Sequence, residues 1–228
     1  MADRAASRAA REKRREAPRR RGSRDAATRQ RLLEVALRQF ADRGFKGVTV
    51  RDLCREADAN VASVNYHFGD KLGLYREVVE RALDGVREDA TIVVDEGADP
   101  AQRLRHYVRT LLPRLASPSG EAVWVQKLMR QEMNDPTPLA PWIADLVVLP
   151  RIRFLAEAVA ELIGTDPEDP RVRRCVVSLQ AQCLFYMPNN FRKVAVPGWR
   201  DLTPEDIAVA AEHIAEFTLA GIERVATT

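Results

Sequence analysis

The chain has 228 residues, 46% of them hydrophobic and 30% charged, enough apolar material for a small head domain and a larger body. No apolar run approaches the roughly 18 to 20 residues of a membrane span, and no apolar stretch follows the arginine-rich N-terminus, so neither a spanning helix nor a secretory leader is expected. The three cysteines, Cys54, Cys175 and Cys183, show no Cys-x-x-Cys spacing, which fits a reducing cytoplasm and argues against a disulfide or zinc framework.

The net charge of +3 is unevenly divided. Residues 1–24 carry ten Lys or Arg against Asp3, Glu12 and Glu16, a net of +7, which leaves −4 on the remainder. A basic arm of this kind suits a polyanion such as nucleic acid, and equally a solvated, disordered tail with no partner. Past the arm, Leu32, Leu33, Ala36, Leu37 and Phe40 recur at helical spacing until Gly44, a natural residue to follow a helix end. Thr49-Val50-Arg51-Asp52 has the form of a capping box and starts a short second helix running to about Ala57. Asp58-Ala59-Asn60 forms a three-residue linker in which Asn60 caps a third helix, Val61 to about Phe68. Gly69-Asp70 breaks that helix. A fourth follows with Leu72, Leu74, Tyr75, Val78, Val79, Ala82, Leu83 and Val86 on its apolar side.

Beyond Gly97, turn residues mark out helices over about 100–116, 121–133, 138–163, 168–187 and 204–225. Pro113, Pro141 and Pro150 are expected to kink or trim some of them. No segment alternates with period two, so the expected fold is all-α. The expected organisation is an arm over 1–24, a head over 25–70, a connecting helix over 71–90 and a helical body over 91–228.

Two short helices joined by a three-residue turn, behind a longer helix, have the spacing of a helix-turn-helix. Its second helix lies in the major groove of DNA with its N-terminal residues toward base edges. The third helix suits that position. Ala62, Ser63 and Tyr66 share one side, while Val61, Val64 and Phe68 are free to pack inward. Short side chains permit close approach, and hydroxyl, amide and imidazole groups can meet phosphates and bases.

The run TRQRLLEVALRQFADRGFKGVTVRDLCREADANVASVNYHFGDKLGLYREVVERAL resembles the DNA-binding head of the TetR/AcrR family of bacterial regulators. The matching elements are F-A-D-R-G-F, T-V-R-D-L and N-Y-H-F-G-D-K, over about a quarter of the chain. The turn departs from the usual Ala-Gly-Val-Ser: here it is Ala57-Asp58-Ala59-Asn60, where Asp tolerates the left-handed backbone and Asn caps as Ser would. Asn65 stands where many relatives have Tyr, and Val61 where many have Lys, so the operator sequence does not carry over. The resemblance implies DNA contacts at Thr49, Asn60, Ala62, Ser63, Asn65, Tyr66, His67 and Lys71. Lys71 adds charge at a helix N-terminus that already favours phosphate.

In the second half, VQKLMRQEMNDPTPL and LTPEDIAVAAEHIAEFTLAGIERV resemble the effector domain of the CecR-type subgroup. That implies an all-α domain that senses a small molecule and forms a homodimer. The residues themselves support a dimer. Cys175 to Met187 is apolar around nearly its whole circumference, and the last helix combines Ile207, Ile214, Phe217 and Ile222 with Ala208, Ala211, Ala215 and Ala220. Val176, Leu179, Leu184, Ile214 and Phe217 are the expected interface residues. Candidates for a ligand cavity are His106, Tyr107, Trp124, Leu128, Met129, Phe154, Phe185 and Tyr186, although each fits plain core better than a pocket wall.

The three histidines, His67, His106 and His213, fall in no metal-binding spacing, and no nucleophile, P-loop or dinucleotide pattern is present. No cofactor, metal or enzymatic activity is expected. The expectation is a cytoplasmic homodimeric regulator, a repressor released from palindromic double-stranded operator DNA by a small molecule, with no membrane partner. The alternative is an architectural, sequence-indifferent DNA binder driven by its basic arm.

Overall fold

The computed structural model describes residues 24–84, 98–120 and 122–227. The expected basic arm, apart from Arg24, lies outside the described residues, as do Val86 and the remainder of the expected connecting helix beyond Asp84. The described residues are helical with no strand. They fall into two compact units: one within Met1–Asp84 together with Lys127–Thr137, the other within Gly85–Gln126 together with Pro138–Thr228. Residues 127–137, placed with the body by sequence, therefore pack with the head.

In the first unit α1 covers residues 24–43, α2 Val50–Glu56, α3 Val61–Phe68 and α4 Lys71–Asp84. Gly44 ends α1 with φ +71°, and its N–H donates to the Phe40 carbonyl at 2.9 Å. Leu32, Ala36, Phe40, Val48, Leu53, Val64, Leu74 and Val78 are buried together as the core. Phe40, Phe45 and Tyr75 gather their rings at centroid separations of 5.0 to 5.9 Å, with Phe40 and Tyr75 edge to face. Helix α6, Ala122–Asn134, supplies this unit with Leu128 and Glu132, both buried.

In the second unit α5 covers Pro100–Ala116, α7 Ala140–Ile143, α8 Leu149–Ile163, α9 Pro170–Phe185, α10 Asn190–Ala195 and α11 Pro204–Ala226. Polar caps set most starts. Asp99 accepts from the Gln102 N–H, Asp169 from the Arg171 N–H, and Thr203 with Asp206 closes a complete capping box. The expected helix over 138–163 is interrupted by a π turn, Ala144–Val148, which ends two residues before Pro150. A proline ring collides with the carbonyl four residues back, and the wider turn gives it room. The short α10 had no counterpart in the sequence reading.

Helices α5, α8, α9 and α11 pack together. Leu104, Tyr107, Val108, Leu112, Leu155, Val159, Val172, Leu179, Ile214 and Ile222 fill the space between them. Arg105 pairs with Glu216 at 2.7 Å and Arg109 with Glu212 at 2.5 Å, fixing the outer edge of α5 against α11.

Candidate nucleic-acid interface

The head positions α3 through its turn. Thr49 caps α2: its Oγ1 accepts from the Asp52 N–H at 3.1 Å and donates to Asp52 Oδ2 at 2.6 Å. The reciprocal half of the expected capping box is thus made to the Thr49 hydroxyl and not to its backbone N–H. That hydroxyl bond, and then the Arg55 guanidinium at 2.7 Å, lower the Asp52 carboxyl below its ordinary value. The chain turns at Asp58, φ +47°, the one non-glycine residue with positive φ among those described. The short polar side chain tolerates that backbone, as the sequence reading requires. Ala59 N–H donates to the Cys54 carbonyl at 2.9 Å, and the Arg31 guanidinium of α1 donates to the Ala57 carbonyl at 3.1 Å, so α1 clamps the turn. Asn60 Oδ1 accepts from the Ala62 N–H at 3.0 Å and starts α3.

The two sides of α3 then differ. Val64 and Phe68 are buried, and Arg29 of α1 lies over the Phe68 ring at 5.3 Å. Asn60, Ala62, Asn65 and Tyr66 are exposed, with Ser63 and His67 half-buried beside them. Tyr66 is 79% exposed, and its ring stands edge-on to His67 at 4.8 Å. Val61, expected to pack inward, is instead 42% exposed, because it precedes the buried Val64–Phe68 pair at the N-terminal tip of α3. Helix α3 carries no acidic residue, and Arg51 and Arg55 of α2 are exposed nearby. Together with Cys54, Asp58, Ala59, Asn60 and Val61 they border an open depression at the turn. The sequence reading passed over these two arginines, although their i, i+4 spacing places both on one side of α2.

Lys71 corrects a simpler picture. Lys71, expected to add charge at the α4 N-terminus, is half-buried, its Nζ sits 4.2 Å from the centre of the Phe45 ring, and burial lowers its pKa. The N-terminus of α4 is also partly occupied, since Asp70 Oδ1 accepts from the Gly73 N–H at 2.7 Å.

The ligand candidates are divided between the two units. Leu128 and Met129 belong to the first unit, whereas His106, Tyr107, Trp124, Phe154, Phe185 and Tyr186 belong to the second. Tyr107 is buried in the core, stacked on Phe154 at 6.2 Å and accepting from Gln180 Nε2 at 2.6 Å. His106 is exposed, and Trp124 is half-buried. A cleft of about 230 Å³ does open in the second unit, lined by Ala101, Arg105, Leu162, Glu216, Leu219, Ala220, Ile222 and Glu223. None of the candidates lines it. Of the five expected interface residues, Val176, Leu179 and Ile214 are buried within the chain itself, at 3%, 1% and 2% exposure, and belong to its core. Leu184 and Phe217 are exposed, at 37% and 64%.

A helix-turn-helix head whose second helix offers polar groups outward, followed by a separately packed helical unit, defines a class: two-part DNA-binding regulators of transcription. The description of bacterial regulatory proteins of the tetR family matches residues 32–78, and that of the C-terminal domain of the HTH-type transcriptional dual regulator CecR matches residues 100–222. The chain belongs to the TetR family, with a CecR-type C-terminal domain. It is similar to the transcriptional dual regulator CecR of Shigella flexneri, 26% identical over 181 residues that cover 74% of this chain and 79% of the relative. Its fold is similar to that of a transcriptional regulator from Rhodococcus sp. Rha1, with a TM-score of 0.57 at 18% identity over 86% of this chain and 97% of the other. It is also similar in fold to AibR solved with isovaleryl coenzyme A and operator DNA, with a TM-score of 0.55 at 20% identity over 85% and 97%. The protein is a DNA-binding transcriptional regulator and not an enzyme.

Proposed function

We propose that the protein is a cytoplasmic homodimeric repressor that reads a palindromic operator with α3 and leaves it when a small molecule binds the second unit. The observation that carries the DNA-reading part is the division of α3, with Val64 and Phe68 inward and Asn65 and Tyr66 outward. Thr49, Asn60, Ala62, Ser63, Asn65, Tyr66, His67 and Lys71 form the contact set, and Arg51 and Arg55 extend it with phosphate-seeking charge. Base edges are met by Ser63 and Asn65 and phosphates by Tyr66 and the arginines.

A dimer is supported by two apolar faces that the chain leaves uncovered. On α9, Val177 and Leu184 are exposed, and on α11, Val209 and Phe217 are exposed. Gln182 of α9 donates to the Thr218 hydroxyl of α11 at 3.4 Å, so the two helices are neighbours. Large exposed apolar faces on adjacent helices suit a second copy packed as a four-helix interface. AibR carries both a small molecule and operator DNA in its structure, and the same pairing is assigned to this chain. Release then follows from reciprocity: a ligand that favours a form with low operator affinity is itself bound less tightly on the operator. Cytoplasmic placement accords with the free cysteines, and no described helix is long and apolar enough to cross a membrane.

Selection of duplexes from a random pool by the purified protein tests the reading. It should enrich two inverted half-sites about one helical turn, or a multiple of it, apart. A pool that remains random after selection would mean that the protein binds DNA by charge alone.

A further inference from the structure

Arg192, on α10, is the most anomalous charge in the second unit. The residue is 6% exposed, and its Nε and Nη1 are buried with no hydrogen-bond partner among the described residues. Its one bond, from Nη2 to the Tyr186 carbonyl, is long at 3.4 Å. Among the described residues no carboxylate is paired with it. Instead the guanidinium lies 4.3 Å from the Trp199 ring centre and 5.5 Å from that of Phe185. Trp199 in turn stands 5.6 Å from Tyr186 and 5.8 Å from Phe185. The aromatic faces attract the cation but leave the Nε and Nη1 donors without an acceptor among the described residues. A buried guanidinium without its counter-charge is strongly unfavourable, and burial lowers its pKa accordingly.

We propose that this cage is a binding site for an organic anion, a carboxylate or phosphate attached to an apolar or aromatic body. The planar guanidinium still holds its Nε and Nη1 donors, on different edges of the plane, for charge-assisted hydrogen bonds to the oxygens of such a group. Tyr186, Phe185 and Trp199 form the wall against which the apolar body rests. Phe185, 55% exposed, is the open side of the cage. The site is distinct from the 230 Å³ cleft, with which it shares no residue. That the anion is also the effector rests on the function proposed above; that the anion binds does not.

The test uses the full-length protein labelled with ¹⁵N at the indoles of its three tryptophans, Trp124, Trp142 and Trp199, with Trp199→Phe to assign the third signal. It is titrated with 2-naphthoate, with the neutral 2-naphthamide and with inorganic phosphate. Naphthoate should shift the Trp199 signal saturably, bind at least tenfold tighter than the amide and raise the Tm. Arg192→Met should erase the preference for the acid, and Arg192→Lys, which keeps the charge but not the planar guanidinium, should weaken naphthoate binding while leaving the amide unchanged. Equal binding of acid and amide, no binding of naphthoate or phosphate, or a preference that survives Arg192→Met would overturn the site. Dissociation of an anion-indifferent dimer by Arg192→Met would also overturn it and assign the arginine to the interface between copies. Operator release is measured separately: naphthoate that binds Trp199 without moving DNA leaves the anion site standing and removes its role as effector.

Discussion

Tyr75 of α4 donates its hydroxyl hydrogen to Glu132 of α6 across 2.7 Å, inside the packed head. Glu132 is 8% exposed and also accepts from the Thr137 N–H at 3.0 Å and the Thr137 hydroxyl at 2.9 Å. A buried carboxylate is tolerable because all three donors converge on it. This network, with Lys46–Asp135 at 2.5 Å and Lys127–Asp42 at 2.6 Å around it, ties residues 127–137 to the helix-turn-helix. Tyr75→Phe removes one donor and leaves the carboxylate underserved. It should lower the stability of the head by about 1 to 3 kcal/mol, seen as a lower urea midpoint, whereas a change below ~0.5 kcal/mol would mean the network contributes little.

The same tyrosine makes alkaline stability informative. An ordinary phenol titrates near pH 10. Burial raises Tyr107 to about 12, and burial followed by the Glu132 carboxylate raises Tyr75 further. Above roughly pH 10 the folded chain then holds more protons than the unfolded one, so stability is fully present below that pH and falls as pH rises. Urea midpoints measured between pH 8 and 11.5 should be flat up to about 10 and then decline, with a shallower decline in Tyr75→Phe. A flat profile throughout would show that neither phenol is as well buried as described.

Thiol reactivity reports on both units at once. Cys54 and Cys183 are buried and Cys175 is half-buried; burial raises all three, Cys183 to about 12. An aromatic disulfide reagent at pH 8 should label Cys175 first and the other two only on unfolding. Rapid labelling of Cys183 in the native protein would contradict the packing of α9 against α5.

Much of this was legible in the sequence because polar side chains punctuate it. Thr49, Asn60 and Gly44 each do locally what their chemistry dictates, so the helix starts and stops of the head fall within a residue or two of expectation. The faces of the body helices were not legible. Cys175 to Met187 carries apolar residues on every side, and composition does not say which side a helix turns inward; packing buries Val176 and Leu179 and leaves Val177 and Leu184 outside. The Arg192 cage was invisible for a related reason. Its members Phe185, Tyr186 and Trp199 are brought together by the chain turn and α10, which no periodicity announces.

The interface between copies is best tested at Phe217, which is 64% exposed and so dispensable to the fold of one chain. Phe217→Glu places an unpaired charge where a second copy would cover it, at a cost of about 3 to 5 kcal/mol. Sedimentation should show the dimer dissociating at concentrations at least ~100-fold higher than for the unaltered protein. An unchanged dimer would locate the interface away from α11.

Deleting residues 1–24, with their net +7, should weaken binding to operator and random DNA by similar factors and flatten the dependence on salt. Loss of operator preference in the truncated protein would show instead that the arm reads a groove.

Whether α3 reads bases is decided most directly at Asn65. Asn65 is exposed on α3 and is the side chain there able to pair two hydrogen bonds with a base edge. Sequence selection from a random duplex pool should be run in parallel with the unaltered protein and Asn65→Ala. Asn65→Ala should relax the preference at one base pair in each half-site by tenfold or more, corresponding to about 1 to 3 kcal/mol, while random DNA is bound as before. Identical base preferences for the two proteins, at every position of the operator, would contradict base reading by α3.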